Sequence, residues 1–169
     1  MTTQSIQSLQ IGMHWFPERA GGLDRMYYSL VGALPGAGVR VRGVVAGSPK
    51  VAQDSGGAIH GFGSASRSLP FRLMDARRAL RREIRRHRPD VISSHFALYT
   101  FPGLDVTRGI PQVSHFQGPW ADESFVEGAA TLSQRIKHSL EQSVYERSSR
   151  LIVLSRAFGD ILTLSLIHI

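Results

Sequence analysis

The sequence predicts an α/β protein built on a doubly wound parallel sheet, with helices on both faces. Short apolar segments recur along the chain, amphipathic segments with helical spacing separate them, and loops rich in glycine or proline follow. Because parallel strands need a long crossover, this alternation favours parallel pairing. The 169 residues are 42% hydrophobic, which suits one packed domain.

The first predicted unit is a strand, a loop and a helix. Residues 9–13 form a short predicted strand, and the loop after it contains Pro17 and the pair Gly21-Gly22. The following apolar positions recur every three or four residues, as on one face of a helix. They are Leu23, Met26, Tyr27, Leu30, Val31 and Leu34. Pro35-Gly36 ends this helix.

A second strand and a long loop come next. Residues 39–45 alternate in polarity, which indicates a strand. Residues 47–70 are rich in glycine and serine, so we predict a loop there, with a short strand at 58–60.

Residues 71–88 form a predicted helix that holds most of the protein's positive charge. The segment carries eight arginines against Asp75 and Glu83, which is 8 − 2 = +6 of a formal net charge of +7. Helical spacing places one set of residues on the sheet-facing side: Leu73, Ala76, Leu80, Ile84 and His87. Three interpretations of the arginines stay open: a solvated face, a surface for anionic lipid headgroups, or a nucleic-acid contact. No aromatic residue follows Phe71 in the segment, so we expect no nucleic-acid partner.

The second half of the chain repeats the alternation. Predicted strands cover residues 91–96, 110–116 and 151–154, and predicted helices cover residues 101–107 and 132–148. A last helix begins at Ser155, a favourable N-cap, and continues through Phe158 and Ile161. Ligands bind beyond the carboxyl ends of such parallel strands. We therefore expect Gly22, His95, Gln117 and Ser155 on one rim.

Composition restricts the function classes. The chain has no cysteine, which excludes a disulfide framework and a cysteine nucleophile. Residues 1–10 are polar and no long apolar run follows, so we expect no signal peptide and no membrane-spanning helix. These features predict a cytoplasmic protein, either soluble or attached peripherally at the inner face of the membrane.

Four stretches resemble the N-terminal domain of glycosyltransferase family 4. The most specific is His115-Phe116-Gln117-Gly118-Pro119-Trp120-Ala121 with Glu123-Ser124. The others are Phe16-Pro17 with Gly21-Gly22, Pro89-Asp90-Val91-Ile92 with His95, and Arg150-Leu151-Ile152-Val153-Leu154-Ser155. Together they run from about residue 11 to residue 162, nearly the whole chain.

The resemblance implies a Rossmann-like domain that forms one half of a two-domain, GT-B type sugar transferase. Residues 1–163 would be the N-terminal, acceptor-side half, and a C-terminal donor domain, with the family's pair of glutamates, would lie beyond them. Residues 164–169 resemble a translated sequencing adapter, and we expect them to be non-native. The implied partners are a nucleotide sugar and a glycan or lipid-linked acceptor, and no metal or other cofactor is expected.

The resemblance also implies roles for the glycine pair and for the motif at His115. Gly21 and Gly22 would meet the donor phosphates at a helix N-terminus; a plain turn is the alternative. His115 and Gln117 are candidates for the catalytic position beside the reacting sugar. Many family members carry a histidine where this chain has Gln117, and an amide cannot act as a general acid or base. A structural role for His115 therefore stays open, and no catalytic base is assigned.

Three further residues are candidates for acceptor binding. His95 either contacts the acceptor or is a structural histidine. Trp120 either stacks on a sugar ring or packs its loop onto the sheet. Glu123, beside Asp122, either orients an acceptor hydroxyl or caps the following segment.

The leading functional hypothesis is transfer of a sugar from a nucleotide donor to an acceptor hydroxyl, by a longer protein of which this chain alone is inactive. The competing hypothesis is a non-catalytic, Rossmann-like module that binds an anion or another ligand. If the arginine helix binds anionic membranes, we expect Arg78, Arg81, Arg82 and Arg85 on its outward side to make the contact.

Overall fold

The computed structural model of the protein describes residues 5–118 and 131–167. Six strands are described: β1 (Gln7–His14), β2 (Arg40–Ala46), β3 (Ile59–Gly61), β4 (Val91–Ser94), β5 (Gln112–Phe116) and β6 (Arg150–Val153). The helices are α1 (Gly22–Ala33), α2 (Lys50–Asp54), α3 (Leu69–His87), α4 (Ala97–Thr100), α5 (Thr131–Glu146) and α6 (Arg156–Ile167). Short 3-10 turns cover Leu34–Ala37 and Phe101–Gly103.

All six strands pair in parallel, in the order β3-β2-β1-β4-β5-β6. This is the strand order of a doubly wound dinucleotide-type fold, and its two halves diverge between β1 and β4. The predicted Rossmann-like parallel sheet is therefore confirmed. Its crevice lies at the carboxyl ends of β1 and β4.

Alternating side chains build a separate apolar layer on each face of the sheet. Val44 packs with Leu9, Ile92 and Leu80 of α3 in one cluster, whereas the adjacent Val45 packs with Tyr27 of α1 in the other. Both valines are fully buried. Burial of each such side chain contributes roughly 1.5–3 kcal/mol to the free energy of unfolding. The apolar layers therefore stabilise the helices on both faces of the sheet.

A proline stands at each end of helix α3. Pro70 occupies its first turn, where the missing N–H costs no hydrogen bond. Arg88 caps its C-terminus with a left-handed φ of 42°, and Pro89 then stops the helix. Four of the five predicted inward positions are confirmed, because Ala76 and Leu80 are buried and Leu73 and Ile84 pack against the core. The fifth, His87, is only partly buried, and its Nε2 lies 2.9 Å from Arg42 NH2.

The structure differs from the sequence prediction in several elements. The strand predicted over residues 91–96 ends at Ser94, and the helix predicted over residues 101–107 is replaced by helix α4 at Ala97–Thr100 and the 3-10 turn Phe101–Gly103. Residues 47–70 were predicted to be loop, but they contain the short helix α2, whose Val51 is fully buried. Strand β1 is longer than residues 9–13, because the polar residues Ser8 and His14 are buried within it. Helix α6 extends to Ile167, beyond the predicted helix around Ile161. Its predicted N-cap is confirmed, since Ser155 Oγ accepts the Phe158 N–H at 3.2 Å.

Candidate functional site

The parallel register places four predicted positions at one edge of the sheet. Gly22 opens α1 after β1, His95 follows β4, Gln117 follows β5, and Ser155 follows β6. Since all strands run in the same direction, these strand ends share the carboxyl rim. The prediction of a common rim is confirmed, whereas the chemical roles of these residues stay predictions.

The two glycines at the start of α1 have different surroundings. Gly21 is the N-cap residue, and no side chain caps the helix there. A Cβ on Gly21 would lie 2.8 Å from Asp24 Oδ2, whereas a Cβ on Gly22 would meet no atom of the described residues within 4 Å. Gly21 is thus required by local packing. Gly22 leaves open space in front of the first amides of the helix, where an anion can approach.

Behind these glycines lies a buried chain of polar groups. Asp24 Oδ1 accepts the backbone N–H of His14 at 2.9 Å, and Asp24 Oδ2 lies 3.6 Å from His14 Nδ1. Arg19 NH1 lies 3.2 Å from His14 Nε2. A guanidinium can only donate, so His14 Nε2 accepts and Nδ1 carries the proton. Neither His14 nor Asp24 was predicted as a site residue. His14 is a polar residue that breaks the apolar pattern of a central strand, and Asp24 stands in the first turn of α1, where an acidic residue is common without being buried.

His95 does not face the rim as expected. Its side chain is only 2% exposed, beneath the ring of Tyr27, with ring centroids 5.1 Å apart. Its Nε2 lies 2.8 Å from Gln10 Oε1. The side chain turns inward because His95, two residues after Ser93, continues the face of β4 that α1 covers. This geometry favours the structural alternative over acceptor contact.

His115 stacks on His95, with ring centroids 4.0 Å apart and planes 16° apart. The Ser93 hydroxyl bridges the pair, at 3.1 Å from Nε2 of each ring. If Nε2–H of His95 donates to Gln10 Oε1 and Nε2–H of His115 donates to the Ser93 hydroxyl oxygen, Nδ1 of His115 remains an acceptor.

Burial keeps both imidazoles of this pair neutral. It lowers the pKa of His115, and it lowers the pKa of His95 well below 6.5, an effect that the neighbouring His115 increases. His115 is only partly buried, so of the two it is the imidazole accessible from the rim. A neutral ring at that place can accept a hydrogen bond from a hydroxyl group or take up a proton.

Gln117 also lies at this end of β5. Its side chain is half-buried, and Nε2 is enclosed with no hydrogen-bond partner among residues 5–118 and 131–167. The next residue, Gly118, has φ 135°, a conformation that favours glycine. The chain thus turns sharply after Gln117. Trp120 and Glu123 lie outside the described residues.

The predicted membrane-surface arginines lie on the outward side of α3. Arg78, Arg81, Arg82 and Arg85 are all exposed. Arg78 NH1 lies 3.6 Å from Asp75, and Arg82 Nε lies 3.6 Å from Glu83. Arg81 and Arg85 form no ion pair with any described residue.

Glycosyltransferase Family 4 is the family whose model matches this chain, over residues 20–165. A comparison with curated protein sequences finds no match. Among solved structures, a UDP-N-acetylglucosamine 2-epimerase shares 12% identity at a TM-score of 0.62 over 98% of this chain and 45% of its own. The S. aureus MnaA-UDP co-structure shares 14% at 0.59, over 96% and 40% of the two chains.

A third similar structure is Acinetobacter baumannii MurG, at 15% identity and a TM-score of 0.51, over 73% of this chain and 39% of that one. At such identities the likeness shows the fold. The chain spans less than half the length of each of these proteins.

No described helix is long and apolar enough to span a bilayer. Since the family model covers most of the residues that form the six-stranded sheet, the chain belongs to glycosyltransferase family 4.

Proposed function

We propose that this chain is the acceptor-side half of a glycosyltransferase that moves a sugar from a nucleotide donor to a hydroxyl of a glycan or lipid-linked acceptor. The donor half would follow residue 163. Membership of glycosyltransferase family 4 supports the reaction class. The observation that carries the proposal is the convergence of the open Gly22 amides and the neutral His115 ring on one rim.

The geometry suggests how the rim contributes to transfer. The uncapped N-terminus of α1 stabilises a negative charge, and a donor phosphate can reach it because Gly22 has no side chain. His115 then accepts a hydrogen bond from a sugar or acceptor hydroxyl, and the buried pair of His95 and Ser93 fixes its ring. Positioning of both substrates in one cleft is the main source of rate in such a transfer.

The direct test is nucleotide release from a panel of UDP-, GDP- and ADP-sugars with acceptor extracts. We expect turnover from the gene product that includes the downstream reading frame, and none from the 169-residue chain. Turnover by the chain alone would refute the division between two halves. A stop codon close after residue 163, with ligand binding and no transfer, would instead support the non-catalytic binding module.

A second test separates the donor role of Gly22 from folding. In the longer gene product, Gly22→Val places a side chain where nothing lies within 4 Å. We therefore expect weaker donor binding with an unchanged melting temperature. Unchanged donor affinity in the folded variant would mean that the glycine pair forms only a turn and does not bind the donor.

We also propose that the outward arginines of α3 bring the protein to anionic membranes. Each arginine near such a surface contributes about 1 kcal/mol. Arg78 and Arg82 already lie near carboxylates, so the four side chains together would give roughly 2–4 kcal/mol, a reversible attachment. This suits an enzyme that visits a lipid-linked acceptor.

Co-sedimentation with phosphatidylglycerol vesicles tests the attachment. The variant with Arg78, Arg81, Arg82 and Arg85 changed to alanine should lose binding, and high salt should have the same effect. Equal sedimentation of variant and wild type at low salt would leave α3 as an ordinary solvated helix.

A further inference from the structure

We propose that Glu18 and Arg19 bind neighbouring hydroxyl groups of an uncharged sugar residue of the acceptor. The two residues belong to the loop between β1 and α1, and both line one cavity of about 380 Å³. The inference rests on the proposed function, because it specifies the acceptor as a neutral sugar. The cavity is separate from the Gly22 amides, the His115 ring and the outward arginines of α3.

The hydrogen-bond donor of this cavity is the guanidinium of Arg19. Its NH1 donates to His14 Nε2 at 3.2 Å, and the buried Asp24 holds His14 by accepting its backbone N–H. Arg19 is exposed, and its other N–H groups form no hydrogen bond with a described residue. The imidazole therefore orients the planar group and leaves N–H groups free to donate to a ligand.

The hydrogen-bond acceptor of the cavity is the carboxylate of Glu18. Its Oε2 accepts the Ser48 N–H at 3.0 Å, and its Oε1 accepts the Ser48 hydroxyl. Gly47 permits this approach, since a Cβ there would lie 3.1 Å from Glu18 Oε2 and 2.7 Å from Val51 Cγ2. Each carboxylate oxygen has a second lone pair, so the fixed carboxylate can still accept hydrogen bonds from a ligand.

Glu18 and Arg19 are oppositely charged neighbours in the sequence, yet they form no ion pair with each other. His14 engages the guanidinium and Ser48 engages the carboxylate, so each charge is held by a different partner. The cavity thus receives a fixed donor and a fixed acceptor side by side. Two neighbouring sugar hydroxyls match them, because one hydroxyl can donate to the carboxylate while the oxygen of the other accepts from the guanidinium.

The charges around the cavity favour a neutral ligand. Of the described residues that line it, Glu18 alone carries a carboxylate and Arg19 alone a guanidinium. An anionic group placed at Arg19 would therefore be repelled by Glu18, and a cationic group at Glu18 would be repelled by Arg19. The volume lies within the usual range of small-molecule sites, roughly 300–1,000 Å³. Most other lining residues are small, which leaves room for a ring: Ala46, Gly47, Ser48, Gly63, Ser64 and Ala65.

Saturation-transfer NMR titrations on the 169-residue chain test the site. The neutral probes are the methyl glycosides of glucose, galactose, mannose and N-acetylglucosamine. Methyl glucuronide serves as the anionic probe, and the free amino acid glycine serves as the zwitterion. The site variants are Glu18→Gln and Arg19→Gln. The matched controls are Asp54→Asn and Arg25→Gln, each of which removes one exposed charge that forms no ion pair with a described residue.

We expect a neutral glycoside to bind the wild type, and its dissociation constant to rise about tenfold or more in both site variants, because each loses a charge-assisted hydrogen bond. The control variants should bind as the wild type does. Glu18→Gln should also bind the glucuronide more tightly than the wild type, since Arg19 then faces no carboxylate across the cavity. A general loss of structure would weaken both ligands, so this opposite change identifies recognition.

Three results would overturn the inference. They are absence of binding of every neutral glycoside to the folded wild type, equal weakening by the control variants, or tighter binding of the glucuronide or of the zwitterion than of any neutral glycoside. Sugar transfer is measured separately in the longer gene product, where both site variants should raise the acceptor KM and leave the donor KM unchanged. A rise confined to the donor KM contradicts this site. Absence of transfer by the wild-type gene product, with glycoside binding intact, contradicts the proposed function alone.

Discussion

The contrast between Gly21 and Gly22 gives the sharpest prediction from the packing. In Gly21→Ala the new Cβ would lie 2.8 Å from Asp24 Oδ2 and 3.6 Å from its Cγ. Either the carboxylate or the start of α1 must move. Asp24 is 4% exposed and binds the His14 N–H through Oδ1, so its displacement leaves a buried charge with a poorer hydrogen bond.

The expected magnitude follows from two opposing effects. Weakening a charge-assisted hydrogen bond costs about 1.5–3 kcal/mol. Replacing glycine by alanine returns about 0.4–1 kcal/mol through the unfolded state, because φ −171° at Gly21 suits any residue. The net loss is roughly 1–2 kcal/mol, or about 2–8 °C in melting temperature for a domain of this size. Gly22→Ala, with open space around it, should be neutral or slightly stabilising.

Urea denaturation of both variants, and of Gly21→Ala combined with Asp24→Ala, tests this reasoning. In the Asp24→Ala background the cost of Gly21→Ala should disappear, because the clashing carboxylate is gone. The reasoning is refuted if Gly21→Ala is as stable as Gly22→Ala, or if it costs as much without Asp24 as with it.

Three further predictions concern the interior. Gly43→Ala brings a Cβ to 2.5 Å from the Tyr27 hydroxyl oxygen and 2.9 Å from the Gln10 carbonyl oxygen. The variant's free energy of unfolding, measured by urea denaturation, should fall by at least about 2 kcal/mol. A variant as stable as the wild type would contradict this packing. Burial lowers the pKa of His95 and His115 below 6.5, so below that pH these histidines bind protons in the unfolded chain while they remain neutral in the folded chain. Stability should therefore be full above pH 6.5 and fall as the pH drops from there, with a shallower slope in His95→Gln; an unchanged slope would argue against a buried neutral ring. Arg42→Met should lower the free energy of unfolding by about 2 kcal/mol, because Arg42 Nε, on a partly exposed side chain, lies 3.8 Å from the buried Glu83 carboxylate. Adding Glu83→Gln to the same chain should restore part of that stability. If the losses of the two substitutions simply add, the two residues are not coupled.

Local patterns were sufficient to predict the sheet and most of its helices. The inward face of α3 follows from residue spacing, since only Leu73, Ala76, Leu80 and Ile84 can together reach the sheet. Helix α2 was not predictable in the same way. Its five residues are too few to show a period, and the serine and glycine residues around it indicate a loop.

Buried polar residues are the part of the molecule that sequence reasoning could not place. Glu83 stands in a run of arginines, and nothing in that run indicates burial, yet it is 1% exposed between Arg42 and His87. His95 follows an apolar strand, so its position predicted a rim contact. Its orientation depends on Gln10, which lies 85 residues away in the sequence but beside it in the sheet. Partners so distant leave no local signal.

The same polar interior gives the carboxyl rim two chemically different ends. On the β5 side, stacking and burial keep His95 and His115 uncharged, and a neutral ring suits contact with a hydroxyl group. On the β1 side, the exposed Arg19 donates to His14 Nε2 at 3.2 Å, and no described carboxylate pairs with its guanidinium within 4 Å. Strand β4 lies between β1 and β5 in the sheet, so the loop that carries Arg19 and the end of β5 that carries His115 lie on opposite sides of β4. This arrangement matters for the proposed transfer, because a charge held directly beside the imidazole pair would shift its protonation.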